Sequence, residues 1–326
     1  MAKVAVIVPV YNVEKYLARC LDSLLDQDYE DYQIVCVNDQ SPDNSQAILD
    51  AYEAKYPEKI KCFMNPVNTS CGGARMLGMA ETQSEYVMFV DSDDYVARDY
   101  ISTYLKEIES TKSDVVVGGF IRDVEGKLTR HKAPKGAWGV LVYVISCAKM
   151  YRKSFLLKHN LGFSNIRTGE DIYFSMSLFY SKAKITVMDY EGYYYYCNNT
   201  SITRAMNYES NHECFVSEIY SKFLADFDIS KLSEKRRRAI EYTYIANMVN
   251  ALITYDHGCK PKLMKKKYEY VMKDMKEKFP DYKHNPYIGI FKPRGAHAKV
   301  RVGVGILMGL QRVKLDLPAL YLISLF

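Results

Sequence analysis

Three carboxylates leave the end of one short apolar run, where Tyr86-Val87-Met88-Phe89-Val90 passes directly into Asp91-Ser92-Asp93-Asp94. A run of this length and composition reads as a buried strand, and its exit lies on the carboxyl edge where open α/β sheets bind ligands. Carboxylates crowded at such an edge repel one another unless a cation sits among them. Asp91 and Asp93, two residues apart, point to one side and can share a hard divalent ion held against a diphosphate. The competing structural role is an acidic turn, since Asp and Ser favour turns and caps. A second acidic pair, Glu170-Asp171, precedes the apolar segment 172–180. There a carboxylate serves either as general base toward a hydroxyl or as a favourable charge at a helix N-terminus.

The elements that must position these groups alternate along the first half. Apolar runs at 3–8, 32–37, 60–64 and 86–90 read as strands, and 14–25, 45–56 and 73–81 carry helical periodicity. The order βαβαβαβ predicts an α/β fold, a mostly parallel central sheet with helices on both faces and right-handed crossovers. Every strand then ends on one crevice, in Pro9-Val10-Tyr11-Asn12, Asn38-Asp39-Gln40-Ser41-Pro42-Asp43, Asn65-Pro66-Val67-Asn68 and the acidic run. A nucleotide needs a flat contact for its base, an acceptor for base or ribose hydrogens and positive charge for its phosphates. Tyr11, Asp39 and Arg75 offer these in turn. Taken singly, each also fits a plain role: core packing, a turn and a helix-surface charge.

After Asn207 the character changes to helix-like segments at 209–223, 233–255 and 262–279, which predicts a catalytic domain over 1–207 and a helical region over 208–326. The net charge of +5 hides an imbalance: from Lys231 onward there are 20 Lys and Arg against 8 Asp and Glu, and the front is acidic. The basic clusters suit an anionic surface of lipid or polymer, and no nucleic-acid partner is expected. The apolar tail pieces 298–310 and 315–326 fall short of the roughly 20 residues that span a bilayer, so they suggest interfacial docking or packing on protein. With 48% hydrophobic and 25% charged residues, the composition excludes disordered and fibrous classes. The eight cysteines show no zinc or redox spacing and read as reduced, buried thiols. The apolar run 4–10 is too short for a signal peptide, so a cytoplasmic location is expected, with possible peripheral contact at the inner face of the plasma membrane.

Five blocks in order resemble the family 2 glycosyltransferases of GT-A fold. They are Val6-Ile7-Val8-Pro9-Val10-Tyr11-Asn12, the stretch Val37 through Ser45, Asn68-Thr69-Ser70-Cys71-Gly72-Gly73-Ala74-Arg75, the DxD-like Asp91-Ser92-Asp93-Asp94, and Gly169-Glu170-Asp171. The resemblance covers about the first 205 residues. It implies a base pocket at Pro9, Tyr11 and Asp39, and contacts to base or phosphate at Asn68 and Arg75. It implies ribose or metal contact at Asp91 beside Ser92, and Mn²⁺ or Mg²⁺ on Asp93 with Asp94 as a secondary ligand. Asp171 would be the base and Glu170 its orienting neighbour. The implied reaction moves a sugar, with inversion, from a UDP-sugar to a hydroxyl of a glycan or lipid-linked oligosaccharide in cell-surface polysaccharide synthesis. Departures exist: Asn38-Asp39-Gln40 replaces the family's doubled Asp and Gly. Cys197-Asn198-Asn199 stands where a basic or aromatic residue is usual, which moves the expected diphosphate contact to Arg204. The Tyr193-Tyr194-Tyr195-Tyr196 run reads as an edge strand or a stacking platform for sugar rings.

Other classes fit less well. A haloacid dehalogenase-like phosphatase would use Asp91 and Asp93, but expects its motif near the first strand. A nucleotidyl-sugar pyrophosphorylase expects a Gly-rich, Arg-bearing loop after strand one. A non-catalytic sugar-nucleotide-binding module would be expected to lose one acidic site. A processive synthase expects membrane spans and a Gln-x-x-Arg-Trp motif, and Trp138 is the sole tryptophan.

Overall fold

A continuous apolar run rich in β-branched residues makes Val4–Val10 an inner strand, β1, buried along its whole length as a parallel strand covered on both faces must be. The computed structural model describes residues 2–136, 138–164, 166, 169–197, 215–255, 259–293 and 295–323. After β1 come α1 (Leu17–Leu25), β2 (Tyr32–Asn38), α2 (Ser45–Lys55), β3 (Ile60–Met64), α3 (Ser70–Ala80) and β4 (Tyr86–Phe89). There follow β5 (Tyr95–Val96), α4 (Tyr100–Thr111), β6 (Val115–Val117), β7 (Phe120–Val124), β8 (Lys127–His131) and α5 (Gly139–Val142). The first unit closes with β9 (Lys149–Arg152), α6 (Lys153–Lys158), α7 (Glu170–Tyr180), β10 (Ile185–Val187) and β11 (Tyr193–Tyr196).

The main sheet runs β10-β6-β9-β4-β1-β2-β3 and is parallel except at β9, which is antiparallel to β4 and β6. Because β1 pairs with β2 on one side and β4 on the other, the strand order reverses there, and the crevice opens between the exits of β1 and β4. A second sheet, β5-β11-β7-β8, lies beyond the acidic run. The chain divides into compact units at Met1–Ser201 and Ile202–Phe326. The second unit holds α8 (Phe215–Asp226), α9 (Glu234–Asn250, running on into a π-helical turn at Ala251–Tyr255), α10 (Pro261–Lys278), α11 (Ala298–Arg312) and α12 (Asp316–Ile323). None of the described helices is long and apolar enough to cross a membrane.

Three elements differ from the sequence expectation. Helix α1 begins at Leu17 because Glu14 is committed elsewhere: its amide donates to the Asp43 carboxylate (2.8 Å) and its carboxylate accepts from the Asn44 amide (2.9 Å), locking the first two strand exits together. Residues 120–131, outside the elements expected from the sequence, form the hairpin β7-β8, whose turn has positive φ at Glu125 and Gly126. The tyrosine strand β11 is not an edge; it lies between β5 and β7.

Helix α3 comes close enough to the sheet to exclude a side chain at Gly78, where an added Cβ would lie 2.5 Å from Ile7 Cγ2. Ile7 is itself fully buried, so it has nowhere to yield. Gly78→Ala is therefore expected to destabilise the first unit by about 1–3 kcal/mol through overpacking, outweighing the gain in helix propensity. Urea unfolding followed by circular dichroism measures it.

Candidate active site

Short lateral hydrogen bonds hold the strand exits in register. The Asp39 amide donates to Val10 O (2.9 Å), Asn65 N to Asn38 O (2.9 Å) and Val90 N to Ile7 O (3.1 Å). Asp39 is 2% exposed, and its Oδ1 accepts from Asn65 Nδ2 (2.6 Å), the Thr69 amide (2.8 Å) and Thr69 Oγ1 (3.0 Å). Asn68 Nδ2 donates to the Asp39 carbonyl (2.9 Å). One oxygen of Asp39 thus fastens the loop that begins α3. Its Oδ2 has no hydrogen-bond donor among the described residues and remains able to accept from a ligand. Pro9 is buried within β1, whereas Tyr11 stands 42% exposed at its exit, a ring face open to a planar group.

Arg75, on the buried face of α3, joins the two acidic motifs. Its Nη2 lies 2.7 Å from Asp91 Oδ1, and its Nη1 lies 3.2 Å from Asp171 Oδ1 and 3.5 Å from Glu170 Oε1. The guanidinium also sits 5.0 Å from the Phe163 ring centroid. Only 3% of the Arg75 side chain is exposed, against 33% for Asp91 and 24% for Asp171. Substrate can therefore reach the carboxylates, and Arg75 acts from behind them. The close approach of α7 to α3 depends on Gly72: a Cβ there would lie 3.1 Å from Phe163 Cβ and 3.3 Å from Glu170 Cγ.

The acidic run does not act as one cluster. Among the described residues no group of three or more His, Cys, Asp or Glu is arranged to hold a metal. Asp94, expected as a secondary ligand, is fully buried and faces the second sheet. Its carboxylate accepts from Tyr193 Oη and from the Tyr196 amide (2.7 Å), while Tyr193 Oη also accepts from the Asp91 amide (3.2 Å). Ser92 is buried too, at 5% exposure. Asp93 is half-buried and its carbonyl accepts from Arg19 Nη2 (2.7 Å); the Arg19 guanidinium lies 4.1 Å from the Tyr196 ring centroid and 4.7 Å from that of Tyr95. A divalent ion on a diphosphate needs only one or two protein carboxylates, with phosphate and water oxygens completing its shell. The oxygen chemistry of Asp93, with the outer oxygen of Asp91, fits that requirement; Asp94 does not contribute. Arg75 is likewise corrected from a phosphate contact to a buried counter-charge. Arg204 lies outside the described residues.

Glu170 and Asp171 open α7 after Gly169, whose φ of 86° turns the chain into the helix. Burial raises both carboxyls. Glu170 is pushed up to about 7, burial and the neighbouring Asp171 charge outweighing Arg75. Asp171 is raised chiefly by burial, against the opposing charges of Arg75 and Lys149. Lys149, inside β9, was missed by sequence reading. It is fully buried, donates to Tyr143 O (2.7 Å) and to Ile145 O, and is lowered to about 8 by burial. Its available signal was a lysine inside the otherwise apolar run Cys147-Ala148-Lys149-Met150-Tyr151. Tyr193, the hinge pin between the two sheets, was hidden in a run of four tyrosines.

Residues 5–179 match the family described as glycosyl transferase family 2. The chain belongs to that family. A poly(ribitol-phosphate) beta-glucosyltransferase of Bacillus spizizenii is 31% identical over 208 residues, covering 59% of this chain and 32% of the relative. The chain thus matches about a third of the length of the first curated relatives, that enzyme and a Staphylococcus aureus TarS. Among solved structures, S. aureus TarS 1–349 with UDP-GlcNAc has a TM-score of 0.73 at 21% identity, covering 99% of this chain and 90% of that one. The mannosyltransferase PcManGT of Pyrobaculum calidifontis, with GDP-Man and Mn²⁺, has a TM-score of 0.54 at 13% identity, covering 85% and 87%. The likeness to TarS bears out the GT-A fold, and the family match sets aside the phosphatase.

Glu170 makes stability depend on pH with an unusual sign. Its folded value of about 7 lies above the ordinary 4.5, so the folded protein keeps a proton that the unfolded chain has released. Its contribution to stability is whole below about 4.5 and declines as pH rises toward about 7. Glu170→Gln should flatten that decline and recover on the order of 2 kcal/mol at pH 8 relative to pH 5. Urea midpoints across that pH range test it.

Proposed function

We propose that the chain transfers a sugar, with inversion, from a UDP-sugar to a hydroxyl of a cell-surface glycan or lipid-linked oligosaccharide. The observation that carries this reading is the pairing of Asp91 and Asp171 through one buried arginine, which brings carboxylates of both acidic motifs to one crevice. Tyr11 supplies the flat contact for the base, and the unpartnered Oδ2 of Asp39 accepts the imide hydrogen of uracil. The names of the relatives support a nucleotide-sugar donor: TarS binds UDP-GlcNAc and PcManGT binds GDP-Man with Mn²⁺.

The acceptor oxygen attacks the anomeric carbon as the bond from that carbon to the diphosphate oxygen breaks, and UDP departs with the bonding pair. Asp171 takes the proton of the attacking hydroxyl; its burial makes it a better base than an exposed aspartate. A single displacement of this kind inverts the anomeric centre. Glu170 and Lys149 set the charge around Asp171, and Arg75 keeps Asp91 and Asp171 facing the crevice. Asp93 and Asp91 would hold a Mn²⁺ or Mg²⁺ ion, which would supply positive charge against the departing diphosphate. Arg19, holding the Asp93 carbonyl, fixes the backbone of that carboxylate.

Asp171→Asn should leave UDP affinity within about twofold of the parent while lowering transfer by about 10²-fold or more, because an amide does not accept the proton. Calorimetric titration with UDP and measurement of UDP release in the presence of acceptor separate the two quantities. Transfer at the parental rate would remove Asp171 as the base. Chelation should abolish transfer, Mn²⁺ should restore it, and Asp93→Asn should need about tenfold or more Mn²⁺ for half-restoration. Activity indifferent to chelator would remove the ion from the mechanism.

A further inference from the structure

Helix α11 buries one face and leaves another bare. Val304, Leu307 and Met308 point inward, and the helix rests on α9. Residues 299, 302, 306, 309 and 313 follow one another at intervals of three and four, so they share the opposite face. That face is apolar in its middle and open: Val302 is 39% exposed, Ile306 52% and Val313 63%, and nothing lies within 4 Å of a Cβ built on Gly309. Along its flank runs the 289–291 turn, fastened where Arg301 Nε donates to Ile290 O (2.9 Å) and packed so closely that a Cβ at Gly305 would lie 2.6 Å from Ile290 N. The turn adds Ile290 at 41% exposure and Phe291 at 79%. Soluble proteins seldom leave an aromatic and a helical stripe of aliphatic residues together in water unless something covers them.

The charges around the stripe identify its cover. Between Asp281 and Asp316 the sequence has seven Lys or Arg and no carboxylate. Lys299 begins the exposed face, Arg301 lies half-buried on its flank, and Arg312 and Lys314 close its C-terminal end, all three of the others exposed. Two copies of this face brought together would set cations against cations with no acid to pair them. A nucleic acid would satisfy the cations but not the aliphatic stripe. An anionic lipid surface satisfies both: acyl chains accept Phe291, Ile306 and Val313 while headgroup phosphates meet the basic rim.

We propose that the α11 face, with the Ile290-Phe291 turn, is a membrane-surface anchor that inserts shallowly among anionic lipids. The inference goes beyond the transfer reaction and does not depend on it. Transfer to a membrane-borne acceptor would gain from such an anchor, because the encounter is confined to the plane of the surface.

The test uses the full chain in flotation with vesicles of phosphatidylglycerol and phosphatidylcholine, and with phosphatidylcholine alone. The parent is expected to float with the anionic vesicles and to partition at least about tenfold less onto the neutral ones. The triple variant Phe291→Ser, Ile306→Ser, Val313→Ser and the charge variant Lys299→Glu, Lys314→Glu should each partition about tenfold less onto anionic vesicles, with circular dichroism and UDP affinity unchanged. Equal partition of parent and triple variant would overturn the proposal. So would a parent that remains in solution with both vesicle types, or one that sediments as a dimer dissolved by the triple variant, which would make a second copy the cover.

Discussion

A guanidinium buried at 3% exposure, with carboxylates from two separate elements around it, is the constraint on which the rest of the site depends. A buried cation without partners costs several kcal/mol, and so do buried carboxylates without a cation. Helix α3, the exit of β4 and the start of α7 are consequently held to one arrangement. Asp91 and Asp171 can face the crevice only because Arg75 stands behind both. Gly72 belongs to the same constraint, since a side chain there would push α7 and Glu170 away from the arginine.

The acidic run shows how neighbouring residues of one type take different tasks. Asp91 faces the crevice and Arg75, Asp93 stays half-exposed with its backbone held by Arg19, and Asp94 turns inward to the second sheet. The tie from Asp94 and the Asp91 amide to Tyr193 makes β11 the strut between the sheets, so the tyrosine strand stabilises the acidic loop from behind. Asp39 divides its labour within one side chain: one oxygen anchors the entry to α3, and the other is left for a ligand.

Burial then tunes what charge pairing has gathered. Glu170 is raised to about 7 and Asp171 is raised as well, while Arg75 and Lys149 limit how far Asp171 rises. Both carboxyls therefore hold a proton more firmly than exposed ones do. Lys149 serves this balance from a position without solvent contact, where its ammonium is held by the carbonyls of Tyr143 and Ile145. The α11 face of the helical unit is of a different kind, with Lys299, Arg312 and Lys314 exposed around an apolar stripe.

Local pattern was enough for the alternation of strands and helices, the polar strand exits and the approximate extents of β1, β2, β3 and β4, because strand and helix periodicities and turn residues act over a few neighbours. The candidate residues Tyr11, Asp39, Asp91, Asp93, Glu170 and Asp171 were legible for the same reason: each stands at the end of an element whose end the sequence marks. Tertiary structure alone decided their partners. Arg75 meets Asp171 across 96 residues, and Tyr193 meets Asp94 across 99. It turned Arg75 from a phosphate contact into a buried counter-charge, withdrew Asp94 from the ligand set, placed β11 inside its sheet and folded 120–131 into a hairpin. Such outcomes depend on which side chains packing brings together and on how much water it removes from them. No local pattern carries that information.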